Sequence, residues 1–373
     1  MTICLNMIVK NEASVLARCL DSVIPFIDSW LIVDTGSSDG TQQLIREKMA
    51  GIPGELHERP WLNFGHNRSE ALRLARDKAD YLLLLDADEA IEVTSGLELP
   101  RLTADEYLAP FRLANSDTTW YRTALIRAAL PWRYVGVLHE YLTCEASQGR
   151  KKLDCLELRS YSDGARNVDP IAKYAADARL LEAALRDEPH NDRYVFYLAQ
   201  SYRDCGEIAQ SLATYERRLA LGGWDEELFY ARFQCAVLKA RLERPWPEVV
   251  ATHLEAFEER PTRAEPLCAL ATQCRMRGHW VQAELFARAA ALLAPPEDIL
   301  FVDQSVYQWR AWDELAIATY YRGKYRESAE INRNLLSGTT LPEAQRARVT
   351  ENLAFANSKL ASRVDVPARF GRV

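Results

Sequence analysis

The sequence contains no Cys-x-x-Cys pair. Its eight cysteines, Cys4, Cys19, Cys144, Cys155, Cys205, Cys235, Cys268 and Cys274, are scattered through apolar segments. That spacing excludes a readable zinc or thioredoxin-type centre and leaves the thiols as small hydrophobes. No apolar run approaches the ~18 to 20 residues of a membrane-crossing helix. The opening MTICLNMIVKNE lacks a basic segment followed by an apolar one, so no signal peptide is expected. Reduced thiols then point to the cytoplasm. A basic excess is missing too. The formal net charge of −7 at pH 7 argues against a surface built for nucleic acid or anionic lipid and leaves only a local basic groove open. No Gly-x-Gly-x-x-Gly follows the first strand-like segment and no P-loop occurs, which disfavours a dinucleotide oxidoreductase and P-loop chemistry. The glycine-rich basic loop of a nucleotidyltransferase is absent near the N-terminus as well.

What is present is a core-forming composition. The chain has 373 residues, 48% hydrophobic and 27% charged, which is enough for two folded domains. In the first half, strand-like and helix-like patterns alternate. TICLNMIV reads as a strand, and SVLARCLDSVI sets Val15, Leu16, Cys19, Leu20 and Val23 at helical spacing. SWLIVD and TQQLIREKM repeat the pair. GELHERPW is a weaker strand, Phe64 to Lys78 a helix with Ala71, Leu72 and Ala75 in register, and YLLLLD the fourth strand. Such units predict a parallel sheet covered on both faces, because parallel strands need long crossovers and continuous apolar strands need two covers. Beyond Asp88, EYLAPFRLA, TWYRTALIR, GVLHEYLTC and KLDCLELRS read as shorter strands added in antiparallel fashion. Their aromatic residues, among them Tyr107, Trp120, Trp132 and Tyr141, suit packing or a ligand platform.

From about Asp169 the pattern is helical and repeats. AEPLCALATQCRMRGHWVQAELFARAAALLAPPE, Ala264 to Glu297, places Leu270-Ala271, Gly278, Trp280, Ala283, Ala290 and Pro295 where the 34-residue tetratricopeptide pattern has its small, aromatic and proline positions. Tyr194 to Gly223 and Trp309 to Gly338 follow the same scheme, and a more divergent unit includes Phe229 to Leu242. Small residues let paired helices cross closely, and the glycine permits the turn between them. Two roles are open for such a solenoid: holding a peptide or protein in its concave face, or buttressing the first domain and forming a homodimer contact. The expected domains are residues 1–165 and 166–373.

Polar residues gather where the strands of the first half end. YLLLL runs into Asp86-Ala87-Asp88-Glu89. In open α/β sheets ligands bind beyond the carboxyl ends of the strands. Asp86 and Asp88, two apart in extended chain, point the same way and suit a hard divalent cation that also holds phosphate. A solvated turn or a helix cap uses the same residues. LIVDTGSSDGT likewise ends a strand with Asp34, and Ser38 or Asp39 can cap the following helix. MIVKNEAS ends the first strand with Lys10, Asn11 and Glu12. Three strand ends so equipped predict a site along one sheet edge.

These segments, Val9-Lys10-Asn11-Glu12, Val33-Asp34-Thr35-Gly36-Ser37-Ser38-Asp39-Gly40-Thr41 and Asp86-Ala87-Asp88, resemble in order and spacing a family-2 glycosyltransferase with the GT-A fold. The motifs cover roughly residues 1 to 145. With its tetratricopeptide tail, the chain resembles a bacterial and viral subgroup that includes peptide S-glycosyltransferases. The resemblance implies an α/β GT-A domain, Rossmann-like in binding a nucleotide sugar, followed by an all-α tetratricopeptide-like solenoid. It implies an inverting transfer from a nucleotide-diphosphate sugar, with uridine the commonest base in the family, and a Mn²⁺ or Mg²⁺ ion. By the same resemblance Asp34 contacts the base or ribose, Asp86 the ribose or the metal, and Asp88 the metal. Lys10, Asn11, Glu12, Asp39 and Ala87 belong to the donor-binding motifs. Arg68, in NFGHNRSEAL, stands near the family's Arg-Asn pair with the order reversed, and its guanidinium would reach phosphate. His139 and Glu140 in GVLHEYL match the subgroup's His-Glu pair. Glu140 is then the base that takes the acceptor's proton, and His139 a third metal ligand. Adjacent strand residues point to opposite faces, so both can serve only if the chain turns there. Asp163 in SYSDGAR is the next candidate base. The acceptor is open among peptide or protein, glycan and nucleic acid, and a repeat adaptor with a degenerate transferase domain is the non-enzymatic alternative.

Overall fold

The computed structural model describes residues 1–93, 99–164 and 169–364. The chain forms two compact units, Met1–Gly222 with Ile299–Phe301, and Gly223–Asp298 with Val302–Val373. The boundary expected between residues 165 and 166 lies outside the described residues.

In the first unit, strands β1 (Ile3–Val9), β2 (Ser29–Asp34), β3 (Gly54–Glu58) and β4 (Tyr81–Leu84) are joined through helices α1 (Leu16–Val23), α2 (Thr41–Lys48) and α3 (Phe64–Ala75). The strands lie in the order β3-β2-β1-β4, all parallel. Alternation sends successive side chains to opposite faces. Ile3, Leu5, Met7, Tyr81 and Leu83 pack with Leu16, Leu20 and Ile45, whereas Cys4, Leu82 and Leu84 pack with Ala71, Leu72 and Ala75. The apolar run YLLLL is therefore continuous because both faces are covered. The register pairs Val9 with Asp34 and Asn6 with Leu84. The carboxyl ends of β1, β2 and β4 thus reach one edge together.

The second half of the sheet departs from the antiparallel addition expected. Strand β7 (Thr118–Arg127) runs antiparallel to β4, and β6 (Glu106–Leu113) antiparallel to β7, as expected. But β10 (Arg150–Lys152) and β11 (Leu156–Ser160), the latter in the KLDCLELRS segment, both run parallel to β6, and β11 is antiparallel to β5 (Glu89–Val93). Strand β5 was not expected at all. It starts on the last of the clustered carboxylates, and its partner lies far along the chain, so local alternation does not reveal it. GVLHEYLTC is not one strand. Only β9 (Tyr141–Thr143) is extended, paired with β8 (Arg133–Val135) in a separate ladder. Between them the chain turns at Gly136, φ 119°, and His139, φ 49°. The first suits glycine, which has no Cβ to clash. The second is a sparsely populated conformation for a histidine and needs surrounding structure to hold it.

Helices α4 (Pro170–Asp187) and α5 (Asp192–Asp204) supply that structure. Asp169 and Asn191 cap them by accepting the N–H groups of Ala172 and Tyr194. Leu138 is buried against Ala178, Leu181, Leu185 and Leu198, with Phe64 and Val137 packed alongside. Tyr194 Oη accepts the Val137 N–H at 3.2 Å, and Arg193 Nε donates to the His139 carbonyl at 2.8 Å. Helix α6 (Ile208–Leu221) pairs with α5 across Gly206, φ 93°.

The second unit is built of tetratricopeptide-like hairpins. They are α7 (Asp225–Arg241) with α8 (Trp246–Glu259), α9 (Glu265–Met276) with α10 (Trp280–Ala291), and α11 (Ala311–Tyr321) with α12 (Tyr325–Ser337), followed by α13 (Glu343–Val364). Gly278 and Gly323, at φ 71° and 75°, make the turns of two hairpins. Ala271, Ala287 and Ala316 are fully buried where helices cross.

Candidate active site

The loops after β1 and β2 are bound to each other. Asn11, φ 56°, donates its backbone N–H to Ser37 Oγ at 2.9 Å, and its Oδ1 accepts the Ser38 N–H at 2.8 Å. Asp39 accepts from the Thr41 hydroxyl at 2.6 Å with one oxygen and from the Ala13 N–H at 3.0 Å with the other. The Glu12 N–H reaches Thr41 Oγ1 at 2.9 Å. Asp39 steadies the start of α2 as anticipated, while Ser38 does not, and Gly40 occupies the capping position. Asp34 is fully buried. Its Oδ1 accepts the Gly36 and Ser37 N–H groups, each at 2.8 Å, and its Oδ2 is buried with no hydrogen-bond partner. Such a leftover acceptor is costly unless something donates to it.

At the end of β4 the charges concentrate. Asp86 to Glu89 form a tight turn, with the Glu89 N–H donating to the Asp86 carbonyl at 3.1 Å and Glu89 Oε2 accepting the Asp86 N–H at 3.0 Å. Arg68, from the second turn of α3, donates Nη2 to Asp86 Oδ1 at 2.6 Å. Its Nε lies 2.6 Å from Glu140 Oε1, an ion pair without hydrogen-bond alignment. Arg122 of β7 grips both oxygens of Glu89 and stands 3.6 Å from Asp86 Oδ2. Gly65 makes the approach of α3 to the turning loop close, since a Cβ there would meet the Gly136 carbonyl at 2.8 Å.

The electrostatics follow from this arrangement. Burial alone would raise the pKa of Asp86, but Arg68 and Arg122 outweigh it and hold the carboxyl below its ordinary value. Burial likewise opposes the charge on Arg68, and Asp86 and Glu140 more than compensate, raising its pKa. Glu89 is raised, by burial first and by Asp86, against the opposing pull of Arg122. Asp88 is raised by burial and by the negative charge of Asp86. Asp86, Asp88, Glu89 and Glu140 thus set four carboxyl groups beside the two guanidinium groups of Arg68 and Arg122.

Residues 4–125 match the family model of Glycosyl transferase family 2. That stretch of the first unit is similar to glycosyltransferase family 2 domains. A "TPR repeat-containing protein" of Synechococcus elongatus is 37% identical over 115 residues, spanning 31% of this chain and 27% of that protein. An "uncharacterized glycosyltransferase" of Rickettsia felis is 31% identical over 106 residues, spanning 27% of this chain and 35% of that protein. The aligned stretches are therefore about a third or less of these relatives' own length. A crystal structure of a tetratricopeptide repeat protein from Parabacteroides merdae aligns with 52% of this chain and 69% of its own at 20% identity and a TM-score of 0.38.

In the first unit the residues singled out from the sequence separate into groups. Arg68, Asp86 and Glu140 are joined directly. Glu140 lies beyond the residues matched by the family model, and the turn at Gly136 to His139 delivers it. Asp88 sits beside Asp86, and a Cβ on Gly164 would come within 3.3 Å of Asp88 Cβ and 3.1 Å of Glu12 Oε2. Ala87 is a core residue, 6% exposed. Lys10 is exposed at the loop after β1. His139 stacks its ring on Tyr197 at 4.0 Å. Among the described residues no group of three His, Cys, Asp or Glu side chains stands ready to hold a metal, so Asp86, Asp88 and His139 are not assembled as one ligand set. Asp163 is held in both oxygens by Arg18, at 2.9 and 2.7 Å. Arg122, Glu89 and Arg18 were missed. A buried-strand arginine inside TTWYRTALIR was the available signal for Arg122, since an unpaired charge is not tolerated there.

Proposed function

We propose that this chain is a metal-dependent, inverting glycosyltransferase that moves a sugar from a nucleotide-diphosphate donor, a UDP-sugar, to a nucleophile on a peptide or protein held with the help of the repeats. The observation that carries this reading is the carboxylate-rich cluster at the carboxyl edge of the sheet, where Arg68 links Asp86 to Glu140.

The residues fit a divalent cation. Four carboxyl groups beside two guanidinium groups, and a proton affinity at Asp88 raised by burial and by Asp86, favour a cation there. Asp88 supplies the hard oxygen, and Mg²⁺ or Mn²⁺ commonly takes one or two carboxylates, with substrate phosphates completing the shell. Asp86, engaged by two guanidinium groups, is left to orient the ribose. A bound cation would neutralise the leaving diphosphate, so no separate acid is required. Asp34 Oδ2 accepts from the nucleoside. Glu140 takes the proton of the acceptor nucleophile as the bond from the anomeric carbon to the diphosphate oxygen breaks. Arg68 orients its carboxylate.

Hydrolysis of a panel of nucleotide sugars by the purified chain, with Mn²⁺, Mg²⁺ or chelator, tests this. The reading expects one donor to be turned over only with a divalent ion. No turnover and no binding of any nucleotide sugar would leave it without support.

A further inference from the structure

The chemistry proposed for the site uses Asp34, Asp86, Asp88, Arg68 and Glu140. It leaves two charged residues unused, Glu89 buried and Arg122 half-buried, and both touch Asp86. Glu89 is 3% exposed at its side chain and opens β5. It holds the turn from inside, because its Oε2 accepts the Asp86 N–H at 3.0 Å while its own N–H closes the turn on the Asp86 carbonyl at 3.1 Å. Arg122 reaches it from β7, with its guanidinium carbon 4.7 Å from the centre of the Phe111 ring. The guanidinium fork takes both Glu89 oxygens and brings Nη1 to 3.6 Å from Asp86 Oδ2. Arg68 holds the opposite oxygen of Asp86 at 2.6 Å. One carboxylate is thus clasped from two sides, and one clasp is anchored on a neighbouring strand.

A buried ion pair is by itself weak evidence for stability. We infer that Arg122 and Glu89 are a positioning pair for the nucleotide site. Glu89 sets the turn that projects Asp88, and Arg122 sets the orientation of the Asp86 carboxylate; neither touches the substrate. This rests on the reading of the cluster as a nucleotide-sugar site. Groups that orient metal- and phosphate-binding carboxylates typically cost about 10- to 100-fold in affinity or activity when lost. A lysine cannot substitute, because its point charge lacks the fork that grips two oxygens.

The test compares wild type, Arg122→Met and the double variant Arg122→Met/Glu89→Gln. Calorimetry with UDP, GDP, ADP and CDP at saturating Mn²⁺ reads affinity, electron paramagnetic resonance reads Mn²⁺ alone, and thermal melts read stability. Arg122→Met leaves Glu89 buried without its partner, so both melting midpoint and affinity should fall. In the double variant the glutamine carbonyl still accepts the Asp86 N–H and no charge is stranded. Its melting midpoint should return close to wild type, while affinity for the preferred nucleotide stays about 10- to 100-fold weaker. If the double variant regains affinity together with stability, the pair is structural and the inference is overturned. The double variant decides even if Arg122→Met fails to fold. A wild-type chain that binds none of the nucleotides would overturn the site reading itself, and the inference with it.

Discussion

Each of the two units holds an arginine–carboxylate cluster, and the two differ in how their charges are matched. In the second unit, Arg263 pairs with Glu265 at 2.8 Å and with Asp298 at 2.9 Å, and Arg260 takes both oxygens of Asp298 at 2.6 Å. Tyr307 donates its hydroxyl to Glu265 at 2.7 Å, and the Phe229 ring lies under Arg263 at 4.5 Å. Two cations meet three carboxylates there, Glu265 and Asp298 closely and Glu226 at 3.8 Å from Arg260. In the first unit, two guanidinium groups meet four carboxylates. The second cluster can be explained as a rigid joint between helices. The first cluster, with more carboxyl than guanidinium groups and a buried Asp34 oxygen that has no hydrogen-bond partner, is the one the donor-site proposal uses.

The largest effect that sharpens this contrast is expected at Glu140. Glu140→Gln removes the proton acceptor with little change of shape. Transfer to the true acceptor should fall by about 10² to 10⁴, and nucleotide affinity, for which Arg68 keeps its bond to Asp86, should fall far less. Transfer at the wild-type rate would place the base elsewhere. In the second cluster, Arg263→Met takes the cation from Glu265 and leaves Asp298 to Arg260 alone. It should cost about 3 to 5 kcal/mol of stability in denaturant titration, while nucleotide binding per folded molecule stays intact. A loss of binding equal to that of a site variant would erase the distinction between the clusters. Gly278→Val puts a β-branched side chain at φ 71°. A penalty of about 1 to 3 kcal/mol is expected in the second unit, and an unchanged melt would remove the turn as its cause.

The smallest effect is a pH dependence in the second unit. His253 is 1% exposed, and burial holds its pKa down at about 4, with the Val249 carbonyl opposing. The unfolded chain takes up this proton below about 6.5, whereas the native chain does so only near 4. Stability is therefore complete above the unfolded value and declines as pH falls from about 6.5 to 4, by roughly 3 kcal/mol at most. His253→Gln should flatten that part of the stability curve. An equally steep fall in the variant would assign it to other groups.

What could be read from the chain alone follows from what is local. The parallel strands announced themselves because YLLLL and TICLNMIV are apolar on both faces, and the repeats because Gly278, Ala283 and Ala290 recur at helical spacing. Asp34, Asp86 and Asp88 were legible because each closes a strand. The meeting of Arg122 with Glu89 was not, because it depends on which strands become neighbours, and β5 crosses to the far edge of the sheet. The turn that aims Glu140 was hidden for another reason. GVLHEYLTC alternates as a strand does, and only packing of Leu138 on α4 and α5 bends it. Local pattern was overruled there by tertiary burial, which offsets the strained conformation of His139.

The most direct test of the central claim is a calorimetric titration of UDP into wild type, Asp88→Ala and Arg263→Met, each with and without Mn²⁺. If the first cluster is the donor site, wild type binds UDP tightly only with Mn²⁺. Folded Arg263→Met should behave the same way, and Asp88→Ala should lose the Mn²⁺-dependent gain. Binding in Asp88→Ala that matches wild type with Mn²⁺ present would contradict the account.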